Sequence, residues 1–387
     1  MILKQDYVNQ LSGIYKMSNN GYMENNKIKI LLISPLPSNT SFGGIGSWTK
    51  RFIDTLMSKK TFEIKVVNSV PIDKNGKDIA RSKNICKKIN CNIRVLKKLR
   101  KELKKFEPDI IHLNSSCTSF ACVRDYLFLR TIYKRHVPSI LHCHCNIQDQ
   151  INGSKIGKHF FAKNVKMASS VITLNSSSYD YVCREANKHS NIHIVPNFIE
   201  ESFIINDKKI NDRISNIVFV GHLVKQKGIE EIISIAEHFS NIHFTLVSGF
   251  TEEYQNRSRF PANIEITGKI PLDLVTKKLD ESDVFLFPTH SEGFSCALLE
   301  AMARGLPIIT THVGANNDML ENKGGIIVDS KSNEQLKNAL IKIDNELVRK
   351  EMSVWNINKV KSSYIEDIVI NNILNIYSDL MTTKGND

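Results

Sequence analysis

Glu292 and Glu300 stand eight positions apart in the stretch EGFSCALLEAMARGLP, between the apolar runs Phe285-Leu286-Phe287 and Ile308-Ile309. Such short runs fill buried parallel strands, and Gly305 with Pro307 marks the end of the helix between them. Glu292 therefore falls on the turn leaving a strand, and Glu300 about two turns further, on the helix. A carboxylate at a strand end, beside the open N–H groups of a helix N-terminus, can accept hydroxyls while the amides hold an anion. A second anion approach comes earlier. The strand Ile28 to Ile33 leads through SPLPSNTSFGGIGSW into a helix carrying Trp48, Phe52, Ile53 and Leu56. There Gly43, Gly44 and Gly46 let backbone amides come close to a phosphate. This turn fits neither the spaced-glycine dinucleotide fingerprint nor the P-loop. Clustered histidines and cysteines end another strand, Ser139-Ile140-Leu141-His142-Cys143-His144-Cys145. Strand alternation sends His142 and His144 to one face and the cysteines to the other, so one tetrahedral metal site cannot collect all four.

Glu292, seven intervening residues, Glu300 and the Ala-Met-Ala-x-Gly-x-Pro ending together resemble the retaining GT-B glycosyltransferases that use nucleotide-diphosphate sugars, the family called family 4 or group 1. The resemblance runs over residues 27–380. It implies an α/β fold of two Rossmann-like parallel-sheet domains facing a cleft, with a C-terminal helix crossing back to the first domain. The expected division is an N-terminal extension over 1–26, an acceptor domain over 27–198 joined by the crossing helix 362–387, and a donor domain over 199–361. Glu292 would face the donor sugar, the backbone amides of Gly293, Phe294 and Ser295 would face sugar and phosphate, and Glu300 would bind the ribose hydroxyls. Gly43 and Gly44 would lie beside the donor phosphates and the acceptor, and His144 would touch the donor sugar, with His142 as the alternative. Gly221-His222-Leu223-Val224-Lys225-Gln226-Lys227-Gly228 resembles the family's Gly-Arg-Leu…Lys-Gly element, whose cations hold the diphosphate. Lys227 matches one cation, whereas His222 stands in place of the usual arginine, which offers a fixed positive fork. Either Lys225 supplies the missing charge or the bound diphosphate protonates His222. In Pro196-Asn197-Phe198, where the family often has Pro-Asn-Gly, Phe198 replaces the glycine. The implied catalytic set is His144, Glu292 and Lys227, acting by front-face transfer with no enzyme nucleophile. No Asp-x-Asp metal motif stands out, so neither metal nor other cofactor is expected.

The elements around these residues alternate strand and helix, as a parallel α/β sheet requires. With 387 residues, 41% of them hydrophobic, the chain has material for two cores. No run approaches the roughly 18 apolar residues of a membrane span, and the N-terminus lacks the apolar core of a signal peptide. The eight cysteines are scattered without a CxxC pair. These features predict a cytoplasmic protein. Of the net charge of +12, Arg81 to Phe106 carries +10, with eleven Lys or Arg and one acid, Glu102. Val95, Leu96, Leu99, Leu103 and Phe106 recur there at helical spacing, giving one apolar stripe and a basic opposite face. That face is either merely solvated or drawn to anionic headgroups at the inner side of a membrane, at ~1 kcal/mol per basic residue. No nucleic-acid-binding motif accompanies it. The expected partners are a nucleotide sugar donor and a saccharide or lipid-linked saccharide acceptor, within bacterial surface polysaccharide synthesis (lipopolysaccharide or O-antigen, capsule, or exopolysaccharide). Two other readings stay open: a sugar-nucleotide epimerase on the same fold, and a degenerate subunit serving as a partner protein, which only His222 favours.

Overall fold

The computed structural model describes residues 27–36, 44–70, 85–186 and 189–383. Expectations for residues 1–26, for Gly43 and for residues 81–84 of the basic segment fall outside it. Contacts divide the chain into two units: residues 1–173, 179–195 and 370–387 form the first, and residues 174–178 and 196–369 the second. Each is built on one parallel sheet of six strands.

In the first unit the strands are β1 (Ile28–Ser34), β2 (Phe62–Asn68), β3 (Ile110–Ser115), β4 (Ser139–Cys143), β5 (Ser170–Thr173) and β6 (Ile192–Ile194), in the order β2-β1-β3-β4-β5-β6. Ile30 to Ile33 are wholly buried, as a strand covered on both faces must be. Helix α1 (Gly44–Ser58) buries Trp48, Thr49, Phe52 and Leu56. Helix α2 (Ile85–Lys105) is the basic segment. Its stripe is as the spacing predicts: Leu99 and Leu103, with Phe106 just beyond the helix, are buried, and Val95 and Leu96 pack on the same core. Helix α3 (Ser119–Tyr133) lies beside it, started by Thr118, whose hydroxyl accepts from the Ala121 amide.

In the second unit the strands are β7 (Asn216–Val220), β8 (His243–Val247), β9 (Ile264–Ile266), β10 (Val284–Phe287), β11 (Ile308–Thr311) and β12 (Gly325–Val328), ordered β12-β11-β10-β7-β8-β9. Counted from its own first strand this is the 3-2-1-4-5-6 order of dinucleotide-binding sheets. Its strand order reverses between β7 and β10, and in the first unit between β1 and β3. Ligands of open α/β sheets bind beyond the carboxyl ends of the strands at such reversals. The chain leaves β7 at Gly221-His222, β10 at Pro288-Thr289, β1 at Pro35-Leu36 and β3 just after Asn114 and Ser115.

Candidate active site

Two loops meet beyond the reversal in the second unit. The first, Gly221 to Gly228, leaves β7 and tightens into a single 3-10 turn at Lys225–Lys227. The second, Pro288 to Ser295, joins β10 to helix α4 (Cys296–Ala303). They are stitched through one carbonyl: Gln226 O accepts from the His290 amide at 2.8 Å and from the Thr289 hydroxyl at 3.2 Å. Gly228, at φ 76°, makes this approach feasible, since a Cβ there would lie 2.1 Å from the Pro288 carbonyl oxygen. The result is an ion pair between Lys227 Nζ and Glu292 Oε1, with side chains 22% and 14% exposed. The ammonium also lies 5.6 Å from the centroid of the Phe287 ring. His290 Nε2 meets Glu231 Oε1 at 2.9 Å, tying the second loop to the helix that follows the first.

The turn after Glu292 is held from behind. Gly293 O accepts from Asn175 Nδ2 at 2.9 Å and from the Ala315 amide at 3.0 Å. Phe294 O accepts from Asn197 Nδ2 at 3.4 Å. Gly314, at φ 53°, passes so close that a Cβ would stand 2.1 Å from the Glu292 carbonyl oxygen. The Phe294 ring is buried, edge-on to Tyr364 at 5.6 Å, which leaves its backbone as the part that can face a ligand. Helix α4 begins later than its glycine-led entry predicts: Ser295 is the N-cap, its hydroxyl accepting from the Leu298 amide at 3.2 Å. Glu300 accordingly sits little more than one turn into the helix, partly exposed. The amides of its first turn lie at the positive end of the helix dipole. His222 and Lys225 lie exposed on the first loop, and the Lys225 amide donates to Glu253 Oε2 at 3.2 Å.

The remaining predicted residues belong to the first unit. Gly44 is the first residue of α1. His144 follows β4, partly buried, and its Nε2 lies 2.9 Å from Asn114 Oδ1 on β3. His142, two residues earlier, is wholly buried, its Nδ1 3.1 Å from His112 Nε2, while His112 Nδ1 lies 2.7 Å from the Tyr377 hydroxyl. The two rings of β4's end stack at 3.9 Å, and Trp48 stands edge-on to His144 at 4.8 Å. Alternation sends Cys143 and Cys145 the other way, into the core with Cys117. Burial holds His112 and His144 as neutral imidazoles, pushed down to about 3, and lowers His142 in the same direction. Of the two histidines open from the sequence, His144 reaches the surface and His142 does not.

Sequence reasoning missed Asn114, Asn175, Asn197, Gly314 and the His290 to Glu231 contact. Asn197 had a signal, its place in Pro-Asn-Phe, and Gly314 another, as a glycine just after β11. The others are single polar residues with no local pattern.

The description "Glycosyltransferase Family 4" matches residues 43–203, and "Glycosyl transferases group 1" matches residues 214–345. An uncharacterized glycosyltransferase of Methanocaldococcus jannaschii is 27% identical over 213 residues, 50% of this chain and 53% of that one. The capsular polysaccharide biosynthesis glycosyltransferase CapM of Staphylococcus aureus is 26% identical over 195 residues, 48% and 50% of the two chains. The chain thus spans about half the length of these curated relatives. Sucrose-phosphate synthase from Thermosynechococcus elongatus superposes with a TM-score of 0.75 at 14% identity, covering 92% of this chain and 100% of that one, which is a likeness of fold. With both matched segments falling on the two parallel-sheet units, the chain belongs to the group 1, family 4 glycosyltransferases of GT-B fold.

Proposed function

We propose that this protein is a retaining glycosyltransferase that moves a sugar from a nucleotide-diphosphate donor to a saccharide or lipid-linked saccharide in bacterial surface polysaccharide synthesis. The observation that carries the reading is the meeting of Lys227 and Glu292 at the strand reversal, next to the first-turn amides of α4. A departing diphosphate needs positive charge, and Lys227 with those amides provides it in a partly dry setting. Once the phosphates take Lys227, the Glu292 carboxylate is free to accept sugar hydroxyls, so it orients the donor and does not attack it. Glu300 takes the ribose, and exposed His222 and Lys225 close on the phosphates. With the charge supplied this way the transfer needs no metal, and its rate should be unchanged by excess chelator.

CapM's role in capsule synthesis supports the acceptor class. The basic helix supports work at an anionic membrane surface. Its one acid, Glu102, is engaged by Lys65 at 3.6 Å, and between α2 and α3 lies a groove of about 510 Å³ lined by Arg100, Arg130, Lys134 and Arg135 among apolar residues.

Calorimetric titration with UDP, GDP and ADP tests the donor site. One nucleotide should bind at micromolar concentration and should lose at least about tenfold in affinity in Lys227→Ala and in Glu300→Ala, the scale of one charge-assisted contact. If none of the three binds, the reading falls and a non-catalytic partner subunit replaces it.

A further inference from the structure

His144 is anchored by a hydrogen-bond chain whose direction can be solved atom by atom. Thr49 Oγ1 lies 2.7 Å from the Ile45 carbonyl and 2.5 Å from Ser34 Oγ. Both contacts are too short to lack a hydrogen. A carbonyl cannot donate, so Thr49 spends its hydroxyl hydrogen on Ile45 O, and the hydrogen between the two hydroxyls must come from Ser34. Ser34 Oγ, its hydrogen used, can only accept from Asn114, whose amide group stands 2.9 Å away. The carbonyl of Pro35, at 3.3 Å, is the longer and poorer alternative for Ser34. Asn114 therefore turns its NH₂ to Ser34, with Thr49 Oγ1 at 3.3 Å as a second acceptor, and its oxygen to His144 Nε2 at 2.9 Å. That oxygen accepts, so Nε2 carries the hydrogen, and Nδ1 is left as the lone pair. Stacking on His142 and the edge of Trp48 fix the plane of the ring. Asn114 is buried on the strand that flanks the first unit's reversal, whereas His144 is partly exposed beyond it.

We propose that Asn114 is a positioning residue, which holds His144 as the Nε2–H tautomer so that Nδ1 accepts a hydrogen bond from a hydroxyl of the bound sugar. This rests on the sugar-transfer reading and adds to it a specificity rule: the sugar hydroxyl facing His144 must donate, so a donor sugar deoxygenated there loses the contact. It also sets the order of construction, since the chain starts at the carbonyl of Ile45, in the first turn after the glycine-rich segment, and ends on the ligand-facing ring.

The test is nitrogen NMR of the full chain with labelled histidine, with the His144 signals identified by their loss in His144→Gln. At pH 7 the wild type should show a protonated Nε2 and a bare Nδ1. Ser34→Ala, which lets the amide of Asn114 turn over, and Asn114→Leu should each shift His144 towards the Nδ1–H form. Asn114→Asp should instead make it an imidazolium with a titration near neutral pH. In transfer assays Asn114→Leu should lower kcat/KM about tenfold while leaving affinity for the bare nucleoside diphosphate unchanged, and Asn114→Gln should restore part of the loss. A wild-type His144 protonated at Nδ1, or a tautomer indifferent to both Ser34→Ala and Asn114→Leu, overturns the proposal. The tautomer is read without any substrate, so a failure of nucleotide binding would sink the sugar-transfer reading and leave the tautomer result legible on its own.

Discussion

Lys227 and Glu292 neutralise each other where both are mostly withdrawn from water, and removing either leaves the other charge poorly compensated. The two truncations are nevertheless expected to act in opposite senses on a nucleotide. Glu292→Gln keeps an oxygen that can accept a hydroxyl but lifts a negative charge from beside the phosphates. At an effective dielectric near 20 such a charge several ångströms away is worth roughly 1–3 kcal/mol. Nucleoside diphosphate affinity should therefore hold or rise by up to about tenfold in Glu292→Gln, while sugar transfer falls by at least about a hundredfold. Calorimetry alongside single-turnover assays reads both quantities. A loss of affinity matching that of Lys227→Ala would show that Glu292 supports Lys227 and does nothing more. The identities of these residues were plain in the sequence because EGFSCALLE and HLVKQKG are contiguous. Their pairing was not, as they are 65 positions apart and meet because the Gln226 carbonyl and the close approach of Gly228 to Pro288 join their loops. The Asn175 contact to Gly293 spans 118 positions, beyond anything that local spacing reports.

At the scale of elements, strand ends position the chemistry, and their cores titrate. His112 on β3 and His142 on β4 are wholly buried and neutral. In the unfolded chain both bind protons below pH 6.5, whereas His112 in the folded chain does so only near pH 3 and burial acts on His142 in the same direction. The unfolded state thus holds more protons between these limits, so stability rises with pH up to about 6.5 and is lost on acidification, by about 1.4 kcal/mol per pH unit for each histidine. Urea unfolding from pH 7.5 to 4.5 should show this dependence, and His112→Gln should lower its slope by close to one proton; an unchanged slope would mean that His112 is already charged in the fold. His144, held down to about 3 in the same way, should act in the same sense. Backbone geometry imposes a second limit at this scale. Gly228→Ala forces a side chain into a left-handed turn against the Pro288 carbonyl, at about 1–2 kcal/mol of backbone strain before the clash is counted. Lower unfolding midpoints together with loss of nucleotide binding are expected, because the same glycine lets the two site loops approach. The strands were legible to within a residue or two in the apolar runs, Ile28 to Ile33 and Phe285 to Phe287 above all. The start of α4 was not, because Ser295 caps it without the Glu or Gln at the third helical position that would have marked the boundary.

For the whole molecule the uneven charge is the feature that neither the sheets nor the site requires. The apolar stripe of α2 was legible and is buried as predicted, which leaves Arg94, Lys97, Lys98, Arg100, Lys101, Lys104 and Lys105 exposed on one helix. The sequence could not show that α3 brings Arg130, Lys134 and Arg135 to the same groove, since that depends on how two helices pack on one sheet face. Among the described residues no helix is long and apolar enough to cross a membrane, so attachment through this surface would be electrostatic and reversible. Each basic residue near an anionic surface is worth ~1 kcal/mol and the field decays within about 10 Å at 0.1 M salt. Sedimentation with vesicles containing phosphatidylglycerol should therefore show binding at low ionic strength that weakens steeply as salt rises. Vesicles of phosphatidylcholine alone should bind little at any salt. Reversing Lys97, Lys101 and Arg130 to Glu should abolish the salt-sensitive binding while leaving nucleotide affinity intact, because none of the three belongs to the donor loops. Binding that survives the reversal, or that ignores salt, would assign membrane contact to another surface and leave the basic helix as a solvated face.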